Sequence, residues 1–155
     1  MEADGHGRML TVFACEFLGT ALFLFGIIST NLPLTIPFSL LASVVIWGDI
    51  TGGHFNPAVT LGVWTSLGDK GKNFIFMLGI MISQCLGGLA GAGLAAVGQM
   101  GTDDPTVPVL APTNPLTGEP DDADTELGFK MDMNVFVNEI VCTFIFVSVI
   151  LMVKG

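Results

Sequence analysis

The sequence predicts an all-α membrane protein: a helical bundle built on an inverted repeat, with one half-helix that dips into the bilayer and returns. Three observations carry that prediction. Apolar runs recur at membrane-spanning length, the first and last of them share a spaced pattern of residues, and the stretch GGHFNPAVT (52–60) falls between two spans. Of 155 residues 51% are hydrophobic and only 12% charged, and the mean hydropathy is +0.73. That balance is far from a soluble domain's, so the solvent is lipid.

Met9–Ile28 is an apolar run broken only by Cys15 and Glu16, and similar runs cover Leu34–Ile50, Phe74–Val97 and Val135–Val153. At 1.5 Å per residue these approach the roughly 30 Å of hydrocarbon in a bilayer. A cleaved signal peptide is the plain alternative for the first run. A Glu within it, no basic cluster before it and further spans behind it argue for a retained helix. In the third run Gly87, Gly91 and Ala95 share one stripe and Gly88, Ala92 and Ala96 the next, the spacing that lets membrane helices approach closely. No strand or helix start frames these glycines, so they do not form a nucleotide-binding loop. Four crossings with a non-crossing insert after the second put Arg8, Lys70, Lys72 and Lys154 on one side and Lys130 on the other, which predicts a cytoplasmic N-terminus.

The first and last runs repeat one another. Glu16, Thr20 and Phe23 recur as Glu139, Thr143 and Phe146, at the same offsets of zero, four and seven, on one face of a helix. An odd number of crossings separates the copies, so the second enters from the opposite side, and such repeats place a substrate site near the midplane. A Glu inside a membrane is expensive and is functional or paired. Each of these two is expected to accept hydrogen bonds from backbone N–H groups or a polar side chain of a non-helical segment at its depth. That makes them structural supports; a proton relay is the alternative.

In GGHFNPAVT, Gly52 and Gly53 permit unusual dihedrals, Asn56 is a favoured N-cap, and Pro57 suits the first helical position. A short helix from Asn56 to about Thr65 follows, ended by the charged Asp69–Lys72 segment. It is too short to cross, so the chain dips in, turns at mid-depth and returns, aiming a positive helix end at the bilayer centre. There the Asn56 amide can donate to a neutral oxygen. Gly52, Gly53 and His54, expected in extended conformation, would offer a ladder of carbonyls, with Val59, Phe23 and Phe146 as the apolar wall opposite. A polar stripe on a greasy tube passes small uncharged hydrogen-bonding molecules and disfavours protons and cations.

Other readings are excluded or set aside by composition. The net charge of −9 is concentrated: eight of fourteen acids, and five of eight prolines, lie in Gly101–Asp132, which reads as a solvated linker. Its Asp spacing fits no EF-hand loop, so no metal is expected. Cys15, Cys85 and Cys142 lie inside apolar runs and read as small buried hydrophobes. With two His and no nucleophile near a base, there is no catalytic constellation and no enzyme is expected. Neither a cofactor nor a nucleic-acid partner is called for. His54 invites a pH-sensing role near the cytoplasmic mouth, against the plainer reading of a His bonded to its own loop.

GDITGGHFNPAVTLG (48–62), EFLGTALFLFG (16–26), SQCLGGLAGAG (83–93) and NEIVCTFIF (138–146) resemble the first re-entrant loop and helices one, three and four of the aquaporin, or major intrinsic protein, family. The resemblance implies an aquaporin-like fold, with Asn56 as the first of two pore asparagines, Glu16 and Glu139 as paired buried glutamates, and Ala58 beside Pro57 completing the Asn-Pro-Ala motif. Counting back from Asn56 places Ile36 at the second-helix position of the selectivity ring. It also implies a homotetramer of separate pores for water or similar small neutral solutes.

The family's full pattern has six crossing helices and two half-helices. The second motif, helices five and six, and the ring's Arg and fifth-helix residue do not occur within residues 1–155. The expectation is therefore a piece of a longer protein or one part of a split pore, its second half in the same or another chain, and neither conducting nor folding stably alone. The expected organisation is 1–8, a cytoplasmic N-terminus; 9–100, the first repeat; 101–132, an acidic extra-cytoplasmic loop; and 133–155, the fourth helix. The competing functions are a non-conducting structural or adhesion protein on the same fold, favoured if Ile36 or Phe55 closes the tube, a glycerol-type solute channel, and a proton-coupled transporter using Glu16 and Glu139.

Overall fold

The computed structural model describes residues 2–30, 32–100 and 133–154. Five helices run in chain order: α1 Glu2–Ile28, α2 Thr35–Thr51, α3 Pro57–Ser66, α4 Lys70–Gly98 and α5 Met133–Lys154. There is no strand among the described residues. Gly7–Ile28, Lys70–Gly98 and Phe136–Val153 are long and apolar enough to cross a membrane, and α2 is a shorter apolar helix of 17 residues. The expected all-helical membrane architecture is what the chain adopts. One boundary differs: residues from Glu2 on already belong to α1, so the helix begins before the apolar run. The acidic, proline-rich segment 101–132 lies outside the described residues.

The chain forms two compact units, one spanning residues 1–107 with α1–α4 and the other residues 108–155 with α5. In the first unit α1 packs against both α4 and α2, and α3 packs against α4. The buried residues of α4 are Met77, Ile80, Gln84, Gly87, Gly91 and Ala95, a three-and-four spacing that marks one helical stripe. Glycine is required there by distance. A Cβ at Gly87 would fall on the Phe17 carbonyl and one at Gly91 on that of Ala21, so the two helices touch backbone to backbone. The neighbouring stripe is looser: Gly88 and Ala92 are half-buried and Ala96 is exposed. Of the three cysteines only Cys15 is buried; Cys85 is exposed because it points off the packed stripe of α4, and Cys142 is exposed on α5, which has no buried residue among those described. An apolar run says that a residue can face lipid or protein and does not say which.

Pro37 sits within the first turn of α2, where the N–H that proline lacks would have no helical partner anyway, so the helix starts at Thr35 undisturbed. Ile36 is the second residue of that helix and is exposed. Ser43, fully buried, donates through its hydroxyl to the Gly19 carbonyl at 2.8 Å and ties α2 to α1.

Candidate functional site

The centre of the first unit is the Glu16 carboxylate, which has no exposed surface. Its Oε1 accepts from the His54 backbone N–H at 3.2 Å, and its Oε2 accepts from the Phe55 N–H at 2.8 Å and from Gln84 Nε2 at 2.7 Å. An anion buried in an apolar bundle is tolerable only when donors surround it, and here three converge. Gln84 is 1% exposed and uses its second amide proton on Thr60 Oγ1 at 2.8 Å. Thr60 Oγ1 also lies 3.2 Å from Gln84 Oε1. Since a carboxylate only accepts, the Gln84 amide nitrogen must face Glu16, and the shorter contact to Thr60 is its other N–H. The single Thr60 proton is then free for the Asn56 carbonyl at 3.2 Å or His54 Nδ1 at 3.2 Å.

This network clamps a backbone that would not otherwise hold its shape. α2 ends in Gly52 at φ 88°, whose N–H returns to the Gly48 carbonyl at 2.8 Å. Gly53 follows at φ 68°, its N–H donating to Thr51 Oγ1 at 3.0 Å. The expected extended ladder is therefore corrected: both glycines have positive φ, a conformation that glycine adopts without a Cβ clash. Phe55 is also left-handed, at φ 44°, which a side chain adopts at a cost of about 1–2 kcal/mol. Two contacts offset that cost. Its N–H reaches Glu16, and its ring, 1% exposed, lies where any Cβ on Gly19 would stand.

Past Phe55 the chain straightens. Asn56 is extended, at φ −155° and ψ 126°, and caps α3, its Oδ1 accepting from the Ala58 N–H at 2.8 Å, with Pro57 as the first helical residue. With its oxygen committed to the cap, the Asn56 side chain turns its NH₂ away from α3. Ala58 is half-buried in the first turn. α3 has 10 residues, about 15 Å at 1.5 Å per residue, half the hydrocarbon thickness.

The structure thus brings Glu16, Gly52, Gly53, His54, Asn56, Pro57 and Ala58 into one cluster. Val59, expected on the wall of an open tube, has no exposed surface, so it packs inside the unit and cannot line open space there. Phe23 is half-buried on α1 and Ile36 exposed on α2. Glu139 and Phe146 belong to the second unit, both exposed on α5. Thr20, shared by the two repeat copies, bonds back to the Glu16 carbonyl at 2.7 Å, so its hydroxyl is satisfied within its own helix. Gln84 and Thr60 were not singled out by the sequence. The available signal was a lone amide on the same stripe as Gly87 and Gly91. No group of three or more His, Cys, Asp or Glu suited to a metal occurs among the described residues.

The model of the family described as major intrinsic protein matches residues 29–154. Aquaporin Z of Photorhabdus laumondii is 32% identical over 163 residues, covering 92% of this chain and 65% of that protein. Aquaporin-8 of Mus musculus is 42% identical over 93 residues, 53% of this chain and 34% of that protein. Aquaporin AqpM of Methanothermobacter marburgensis is 32% identical over 78 residues, 46% of this chain and 32% of that protein. The chain therefore spans under two thirds of the length of the curated relatives it matches.

Proposed function

The chain belongs to the major intrinsic protein family, and from that premise we propose that it contributes the first half of a passive transmembrane channel for water or similarly small neutral solutes. The observation that carries this reading is the orientation of Asn56. Its oxygen is fixed by the Ala58 N–H, so its amide N–H group is the donor left at the positive end of a half-length helix. A donor beside a positive half-dipole of about half an elementary charge suits a neutral oxygen and repels cations. Glu16, Pro57 and Ala58 hold the loop. Gly52, Gly53, His54, Phe23 and Ile36 border the path; in the second repeat Glu139 supports the loop as Glu16 does in the first, and Phe146 borders the path. We place the N-terminus in the cytoplasm and the pores in a homotetramer.

Two competing readings lose support. A plug made by Phe55 needs that ring in the tube, and it is buried against Gly19. A proton relay through Glu16 needs an open path to its oxygens, and both are occupied by donors. The test is vesicle shrinkage under an osmotic step, with proteoliposomes of the full protein in water, glycerol and urea. Water permeability several-fold above protein-free vesicles and constant from pH 5 to 8 is expected. Equal rates with and without protein would refute the channel, and a steep dependence on pH would revive the relay or assign sensing to His54. Residues 1–155 taken alone, with one half-helix unpaired, should leave vesicles tight.

A further inference from the structure

A cavity of about 380 Å³ opens beside the loop, where α1 and α4 begin, a size at the lower end of ligand pockets. Of the residues assigned to the pore only His54 lines it, while Asn56, Phe23 and Ile36 do not, so its lining overlaps the proposed path at one residue. One wall is a face of α3, with Thr60, Val63 and Trp64 at helical spacing, and the other includes Phe76 and Met77 of α4. Among the described residues that line it, Arg8 is the single Lys, Arg, Asp or Glu.

Arg8 is exposed and forms no ion pair among the described residues, whereas Lys72 is taken by Asp69 at 3.0 Å. Trp64 Nε1 donates to the Lys70 carbonyl at 3.1 Å, which ties the indole to the start of α4. An aromatic and basic rim over an apolar interior is the arrangement found where a membrane protein meets headgroups. A fully apolar molecule would leave the guanidinium unused, and a small polar anion would leave the apolar walls unfilled.

We propose that this cavity binds one acyl chain of an anionic glycerophospholipid, its headgroup at the Arg8 guanidinium and its chain against Trp64, Phe76 and Met77. The bound chain touches His54 and Thr60, two members of the network that holds the loop, so the lipid braces the loop. The inference needs only the membrane setting and stands whether or not the channel conducts.

Trp64 is its own reporter. With Trp47 and every other tryptophan of the full protein except Trp64 replaced by Phe as background, the protein is placed in nanodiscs of phosphatidylcholine that carry the same mole fraction of acyl-brominated phosphatidylglycerol or acyl-brominated phosphatidylcholine, and Trp64 quenching is compared. The anionic lipid should quench at least about twofold more strongly, and Arg8→Gln should erase the difference. Val63→Phe fills the cavity while leaving Arg8, Lys70 and Lys72 in place, and should erase it too. Leu67→Phe at the rim serves if Val63→Phe loses helical circular dichroism. Equal quenching by both lipids in the background protein overturns the proposal. So does a preference that survives the cavity-filling variant, since that is enrichment of anionic lipid at a basic surface.

Discussion

Replacing Glu16 with glutamine changes almost no volume and removes one acceptor, so its effect can be worked from the bonds. The carboxylate holds three donors: His54 N–H at 3.2 Å, Phe55 N–H at 2.8 Å and Gln84 Nε2 at 2.7 Å. Glutamine has one acceptor oxygen, best placed where Oε2 stands, because that position serves two donors. Its own NH₂ then faces the His54 N–H, donor against donor. Stranding that amide costs about 1–3 kcal/mol, and each surviving bond loses about 1 kcal/mol with its charge assistance. The sum is about 3–5 kcal/mol, which at about 2–4 °C per kcal/mol lowers the unfolding midpoint by about 6–20 °C. Thermal unfolding of the detergent-solubilised protein, followed by circular dichroism, reads this directly. A double-mutant cycle with Gln84→Leu should return a coupling of about 0.5–3 kcal/mol, since the two side chains share a bond. A Glu16→Gln midpoint within about 2 °C of wild type would refute the reasoning, because that is under about 1 kcal/mol and three lost or weakened bonds cannot sum to so little.

Asn56→Asp keeps the cap oxygen and removes the N–H donor, so stability should stay near wild type while water permeability of proteoliposomes falls several-fold; Asn56→Ala should in addition cost about 0.5–2 kcal/mol in the unfolding assay. Gly87→Ala puts a methyl on the Phe17 carbonyl and should destabilise by about 1–3 kcal/mol, whereas Gly93→Ala, which meets nothing within 4 Å, should be neutral or stabilise by about 0.4–1 kcal/mol. Phe55→Ala empties a site that is 1% exposed and should cost about 3–5 kcal/mol, measured the same way.

How much of this was legible in the sequence follows from whether a feature is local. The helices were, because length and apolarity fix them: the run expected at Leu34–Ile50 is the helix Thr35–Thr51. So was the start of α3, since an N-cap and a proline are neighbours in sequence. The turn before it was read only in part. Two glycines announce freedom, but glycine takes positive and negative φ about equally well, so the sequence does not say which of them it uses. Gln84 was missed for a similar reason: its partner Glu16 lies 68 residues away, and periodicity names the face of a helix without naming what meets it. Val59 was placed on a wall that the packing against α4 turns inward.

The energetics of the loop explain why these distant residues matter more than the motif. A helix of 10 residues is marginal in isolation, and it follows three residues with positive φ. Its own cap and proline contribute little more than the strain at Phe55 removes. What remains to hold it is the pair of N–H bonds into Glu16, on α1, and the Thr60 hydroxyl against Gln84, on α4. Those two helices are in turn fixed by the Gly87 and Gly91 contacts, where backbone meets backbone and no side chain can yield. The position of the Asn56 amide is therefore set by glycines about 30 residues away on a different helix, and a change at that seam reaches the donor without touching it.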